Sequence, residues 1–362
     1  MDKFAFIVHP IEYKDLSRKF KRIEKLPQGL VEKMMQFLPP LKVSEAKGIK
    51  SSHNEIEGYF LGCTLTSEQM LRLPPKFVIN KIVKTGRLAE KLGAKIVGLG
   101  AMTSVVGDAG ITIRNRLNIP VTTGNSYTIA TAIEGVKKAS EKLEIDLAHA
   151  EVVVVGANGS IGKVCAHLIA RDCRYLTLVS RDVMKLRKTA DEILAETGLS
   201  PKVTSDVDES LKSADIVISV TSAVDSVIRP EFLKSGALVC DVARPRDVSK
   251  TVAEKRDDIL IIEGGLIEVP GDPDLGFNFG YPPKIALACM AETMILALER
   301  KYESFTLGRD ISIEQVDEIS NLAEKHGFKL AGFRSFERPV KEETIEKVKK
   351  YARERKNQAV NE

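Results

Sequence analysis

The sequence predicts an α/β protein organised around a parallel sheet covered on both faces. Five apolar runs recur between about Leu147 and Gly265: "EVVVV", "LTLVS", "DIVISVTS", "ALVCDVA" and "ILIIEGG". Each is apolar throughout rather than alternating, which marks strands buried on both sides. Helical segments separate several of them, and the first run ends in a glycine-rich turn that opens a helix. Strand, glycine turn, helix and further strands in that order define a Rossmann-like domain.

The remaining elements fit around that domain. Near the N-terminus, "FAFIVH" reads as a strand and Asp15–Lys25 as a basic helix, with "LPP" at Leu38–Pro40 as a break. "EIEGYFLGCTL" reads as a strand. Asn80–Leu92 places Ile82, Val83, Leu88 and Leu92 at helical spacing, although Gly86 interrupts it. "AKIVGLGAMTS" runs from a strand into a glycine-rich loop, and Tyr127–Leu143 forms a helix with one apolar face. After the break "GYPP", helices are expected over Lys284–Tyr302, over Ile313–His326 with Gly327 as its stop, and over the charged tail "EETIEKVKKYARERKNQ". The tail reads as a solvated, partly frayed helix. The expected domains are an N-terminal α/β substrate or carrier domain over 1–130 and the Rossmann-like domain over 131–282. Helices over 283–362 are expected to pack back on the first domain.

Composition narrows the function classes. Of 362 residues, 43% are apolar and 29% charged, a balance that builds an ordinary globular core. A net charge of +4, no Trp and 6% aromatics offer little to nucleic acid. No run of 18 apolar residues predicts a membrane span, and "MDKFAFIVHPIEY" lacks the features of a secretory signal. The five cysteines, Cys63, Cys165, Cys173, Cys240 and Cys289, are odd in number and widely spaced. They predict neither a disulfide framework nor a metal site, and a reducing cytoplasm is the expected setting.

The turn Gly156-x-x-Gly159-x-x-Gly162 carries the first chemistry. Gly156 permits a tight turn, Gly159 lets backbone approach a pyrophosphate, and Gly162 lets helix and strand pack closely. The helix start then offers free N–H groups and a positive dipole end. The expected cofactor contacts are Gly156, Asn158, Gly159, Ser160, Ile161 and Gly162, with Thr221 and Gly264 at later strand ends. The second strand ends in Ser180 and Arg181, where a cofactor with a free ribose hydroxyl usually meets an acid. Hydroxyl plus guanidinium suits a 2′-phosphate, so NADPH is expected. Asp182 reads as the cap of the next helix.

"KIALACMAETMILALE" places Cys289 early in an apolar helix. Two readings stand side by side: a core thiol, because cysteine is often buried, or a nucleophile, because a helix start and nearby cations favour the thiolate. Lys284, five residues upstream, is the nearby cation.

Taken together, "FAFIVH", "TTGNSYT", "VVGANGSIG", "EGGLIE", "ACMAETMILALE", "FTLGRDISIEQVDEI" and "KHGF" resemble the cyanobacterial long-chain acyl-(acyl-carrier-protein) reductases. The resemblance runs from Phe4 to about Phe328. It departs at "PGDPDLGFNFGYPP", at "CDVARPRD" and after Phe328. It implies NADPH-dependent reduction of a fatty acyl thioester to an aldehyde, with Cys289 as the acylated nucleophile. Acyl carrier protein or coenzyme A is then the partner, and membrane insertion is not expected.

Weaker candidates are His326 as a catalytic group and Ser104, Thr123 and Asn125 as substrate contacts. His9 reads as structural. "RKFKRIEK" (Arg18–Lys25) is either a solvated helix face or a docking patch for an acidic carrier. Two other readings stay open: an NADP-dependent dehydrogenase of the shikimate or amino-acid type without a covalent step, and a non-catalytic nucleotide-sensing protein.

Overall fold

The strand Asp2–Val8 runs through the middle of a six-stranded sheet, and its alternation divides the packing on either side. Ala5 and Ile7 face a buried cluster that includes Leu61, Val97, Leu99 and the helix residues Val78, Ile82 and Val83. Phe4 and Phe6 meet Phe60 edge-on, at ring separations of 6.4 and 6.2 Å. The computed structural model describes residues 1–18, 26–221, 227–243, 246–264, 266–336 and 338–360. The chain divides into two units. One comprises Met1–Tyr127, Ile267–Ile311 and Asp317–Lys329; the other comprises Thr128–Leu266, Ser312–Val316 and Leu330–Glu362.

In the first unit the sheet order is Gly271–Asp274, Leu41–Lys50, Glu55–Gly62, Asp2–Val8, Ile96–Leu99 and Val121–Thr122. The last four strands run parallel, and the first two pair antiparallel. The helix Pro75–Lys91 starts five residues before the expected Asn80, because Pro75 takes the first helical position, where its missing N–H costs nothing. Gly86 has a packing reason: a Cβ there would fall 2.4 Å from Leu117.

The helix Ala288–Glu299 packs on the strands Asp2–Val8 and Ile96–Leu99. Gly98 makes the approach close, since a Cβ on it would lie 2.0 Å from Thr293 Oγ1. The expected helix over Lys284–Tyr302 is shorter at both ends. Ile285–Leu287 is a strand, and Arg300, with φ of 60°, closes the helix.

The second unit contains six parallel strands in the order Leu260–Glu263, Leu238–Asp241, Ile216–Ser219, Glu151–Val155, Tyr175–Val179 and Lys202–Thr204. Counted along the chain, this is the doubly wound dinucleotide-binding order, with its switch point between Glu151–Val155 and Ile216–Ser219. The fold class is therefore α/β with a Rossmann-like parallel sheet.

Residues 283–362 do not form one domain. The helix Ala288–Glu299 belongs to the first unit, and the tail helix Glu342–Val360 belongs to the second. The tail buries Ile345, Val348 and Ala352, a helical stripe, so it is docked rather than fully solvated. Gly236, with φ of 80°, admits Ala352 to within 2.6 Å of where a Cβ would stand. Glu144 bonds Arg353 at 2.6 Å and Lys349 at 2.9 Å, and these partners hold its carboxyl down to about 2.

Candidate active site

Cys289 is the second residue of its helix, and the N-cap Leu287 supplies no side-chain cap. The thiol therefore sits among backbone N–H groups without intrahelical partners, the environment that stabilises a thiolate. It is half-buried, whereas Cys63, Cys165, Cys173 and Cys240 are buried. Burial pushes Cys63 up to about 11 and both Cys165 and Cys173 up to about 12, so those three thiols stay protonated.

Gly124, between the strand Val121–Thr122 and the helix Asn125–Lys142, lies directly on Cys289. Gly124 has φ of 78°, and a Cβ there would fall 2.4 Å from both Cα and Cβ of Cys289. Only glycine allows the contact. Three residues beyond Cys289 is Glu292, fully buried. It accepts the Tyr127 N–H at 2.9 Å, the Thr306 hydroxyl at 3.0 Å, the Thr122 hydroxyl and the Gly124 N–H. Thr306 also lies 2.8 Å from Ser126 Oγ, and its N–H donates to Thr122 Oγ1 at 3.2 Å. Burial raises the Glu292 carboxyl above the usual range, against the pull of those hydrogen bonds. Sequence reading missed Glu292. The available signal was a lone carboxylate inside "ACMAETMILAL", where every neighbour is apolar or small.

The other expected residues divide. Thr123 donates both its N–H and its hydroxyl to Thr306 O, at 2.9 and 3.0 Å, so it braces the turn. Asn125 opens the helix Asn125–Lys142, is half-buried, and its carboxamide has no partner among the described residues. Ser104 donates to Ala101 O at 2.7 Å and closes its own turn. His9 accepts the Met102 N–H at Nε2, which leaves Nδ1–H to donate to Pro10 O at 3.0 Å, and the ring is neutral and structural.

Lys284 and His326 have partners of their own away from the start of the helix Ala288–Glu299. Lys284 stands before the strand Ile285–Leu287, roughly 13 Å from the helix start at an extended rise of about 3.3 Å per residue. Its ammonium pairs with Asp272 at 3.0 Å. His326 is buried at the opposite end of the helix Ala288–Glu299, against Glu299 at 2.8 Å and Ser51 Oγ at 3.0 Å. Ten residues separate Glu299 from Cys289, or about 15 Å of helix. His326 ties elements together and does not reach the thiol.

In the second unit the glycine turn fits a dinucleotide. Gly156 has φ of 86°, and a Cβ there would fall 2.4 Å from Val220 O across the switch point. A Cβ on Gly162 would fall 2.3 Å from Gly156 O. Gly159 is the N-cap of the helix Ser160–Ile169, with Ser160 and Ile161 as its first residues. Asn158 donates from Nδ2 to Asp182 O at 2.7 Å, and its buried Oδ1 has no partner among the described residues. That orphan acceptor suits a ligand hydroxyl. Asp182 caps the next helix through the Lys185 N–H at 3.0 Å, while Arg181 is exposed beside it and Ser180 bonds Thr204 O through its N–H at 3.2 Å. Thr221 is fixed by Asp247, which takes its N–H at 2.7 Å and its hydroxyl. Gly264 has open space around a Cβ position, so packing does not require a glycine there.

Residues 19–25 of the basic segment Arg18–Lys25 lie outside the described residues. Among the described residues no group of three His, Cys, Asp or Glu side chains is placed to hold a metal ion. No described helix is long and apolar enough to cross a membrane.

Residues 128–266 thus form an NAD(P)-binding unit of the oxidoreductase type. The family described as shikimate/quinate 5-dehydrogenase matches residues 137–262. The chain is 31% identical over 369 residues to a Serratia protein named aminotransferase PigE, covering 96% of this chain and 42% of that protein. It therefore spans less than half the length of that relative. It is 28% identical over 330 residues to a long-chain acyl-[acyl-carrier-protein] reductase of Synechococcus elongatus, covering 87% of this chain and 94% of the relative. A glutamyl-tRNA reductase of Roseiflexus is 28% identical over 148 residues, covering 39% of this chain and 33% of the relative. The chain is a distant relative of the Synechococcus reductase over most of its length.

The raised carboxyl of Glu292 has a consequence for stability. An acid whose pKa is higher folded than unfolded stabilises the fold below its unfolded value, and that contribution is lost as pH rises through the folded value. Thermal melts should therefore show wild type losing stability relative to Glu292→Gln as pH climbs above the ordinary glutamate range. Parallel pH profiles for the two proteins would contradict the assignment.

Proposed function

We propose that the chain is an NADPH-dependent reductase that converts a fatty acyl thioester, of acyl carrier protein or coenzyme A, to an aldehyde through an acyl-Cys289 intermediate. The observation that carries this reading is a half-buried thiol at the second position of a helix, with Gly124 laid against it. The same chain carries an NAD(P)-binding unit, and the similarity to the Synechococcus reductase covers both.

The thiolate of Cys289 attacks the thioester carbonyl, and a C–S bond forms as the carbonyl becomes an oxyanion. The oxyanion collapses, the bond to the carrier sulfur breaks, and the carrier thiolate takes up a proton from water. When bound, NADPH supplies a hydride for the acyl carbon of the resulting enzyme thioester. Breaking the bond from that carbon to Cys289 Sγ then frees the aldehyde and restores the thiolate. The Asn125 carboxamide, uncommitted to any described partner, is the available side-chain donor for the oxyanion beside Gly124. The turn Gly156–Gly162 would hold the pyrophosphate, and Ser180 and Arg181 would hold the 2′-phosphate. A reducing cytoplasm suits a thiolate nucleophile.

Intact-mass spectrometry tests the covalent step. Wild type incubated with acyl thioesters and no cofactor should gain one acyl mass, and Cys289→Ala and Cys289→Ser should gain none while still binding NADPH. Full turnover by Cys289→Ala would sink the reading and favour a dehydrogenase without a covalent step. For the cofactor, Arg181→Asp removes a charge-assisted bond of about 1.5–3 kcal/mol, equivalent to roughly tenfold to a hundredfold in affinity. NADPH binding should weaken by that factor with NADH nearly unchanged. Equal weakening of both would count against a 2′-phosphate site.

A further inference from the structure

Glu292 is one helical turn beyond Cys289, so both side chains leave the same region of the helix. It is fully buried, and no described lysine, arginine or histidine pairs with it. A buried carboxyl is costly unless hydrogen bonds satisfy it. Here the satisfaction comes from two turns that are distant in sequence. The first gives the Thr122 hydroxyl and the N–H groups of Gly124 and Tyr127. The second gives the Thr306 hydroxyl. Ser126 Oγ lies 2.8 Å from Thr306 Oγ1, so Ser126 donates to Thr306 while Thr306 donates to Glu292. Thr123 closes the set by bonding Thr306 O. The motifs "TTGNSYT" and "FTLGRD" therefore meet at one carboxyl on the nucleophile's helix.

We propose that Glu292 is a positioning residue, which holds the Gly124 turn against Cys289 and so presents the thiol to an incoming carbonyl. This rests on the reading of Cys289 as the nucleophile. Glu292 does not touch the reacting atoms. It acts through Gly124, whose backbone lies close against Cys289, so a turn that drifts away changes the surroundings of the thiol. The glycine turn, the second turn and the helix start then behave as one piece. Loosening any hydrogen bond to Glu292 frees the turn.

The test compares Glu292→Met with Glu292→Gln. Methionine keeps the length and loses every hydrogen bond. Glutamine keeps an acceptor for the N–H groups and an amide for the hydroxyls. Two rates are read: acylation by an acyl thioester, and alkylation of Cys289 by iodoacetamide, with Cys289→Ala as the blank. Glu292→Met should slow both at least tenfold, with the KM for thioester changed less than threefold. Glu292→Gln should restore both to within about threefold of wild type. Thr306→Val removes a single donor, is the milder change should the methionine variant not fold, and should slow both rates about threefold to tenfold. Wild-type rates in Glu292→Met or Thr306→Val, or a glutamine variant no better than methionine, would overturn the proposal. A wild type that alkylates normally yet takes an acyl group from no thioester would sink the reductase reading instead. The alkylation rates would still decide the role of Glu292.

Discussion

A carboxyl without access to solvent organises the first unit. Glu292 stands in a helix whose other inward residues are apolar, and burial there is tolerated only because four donors converge on it. The donors belong to two segments far apart in the sequence. Satisfying one buried group therefore fixes the path of both, and it brings Gly124 onto Cys289. The positive φ of Gly124 and its lack of a side chain are what the contact demands. Burial holds Cys63, Cys165 and Cys173 in the neutral form, whereas Cys289 is half-buried at a helix start.

The second unit meets a different demand, close approach to a phosphate. Its glycines put backbone where the phosphate must come near, and the strand order opens a crevice at the switch point. Thr221 is locked by the buried Asp247, and Asn158 spans from the glycine turn to Asp182 at the end of the neighbouring strand. The glycine turn and the end of the neighbouring strand are thereby braced against each other.

Much of this was legible in the sequence, for physical reasons that differ by element. Strands of the second unit are buried on both faces, so they announce themselves as unbroken apolar runs. Leu41–Lys50 and Gly271–Asp274 do not, because they are polar strands at the outer side of a sheet and pair with partners far along the chain. "GDPD" has the composition of a turn, and only its pairing with Leu41–Lys50 makes it a strand. The glycine turn could be read because its strand, turn and helix follow one another directly in the chain. Glu292 could not, because Thr122 and Tyr127 are more than 160 residues away from it. Sequence proximity in one case and residue type in the other suggest Lys284 and His326 as neighbours of the thiol. An extended strand separates Lys284 from the thiol, and the length of a helix separates His326 from it.

The acyl group, on the mechanism proposed, resides on Cys289 and leaves from there as aldehyde. A single-turnover chase addresses this most directly. Enzyme acylated in the absence of cofactor is freed of thioester by gel filtration and then mixed rapidly with NADPH. The expected result is one aldehyde per acyl-enzyme, released no more slowly than steady-state turnover, with loss of the acyl mass from Cys289. An acyl-enzyme that persists, or decays to acid far more slowly than turnover, would contradict it.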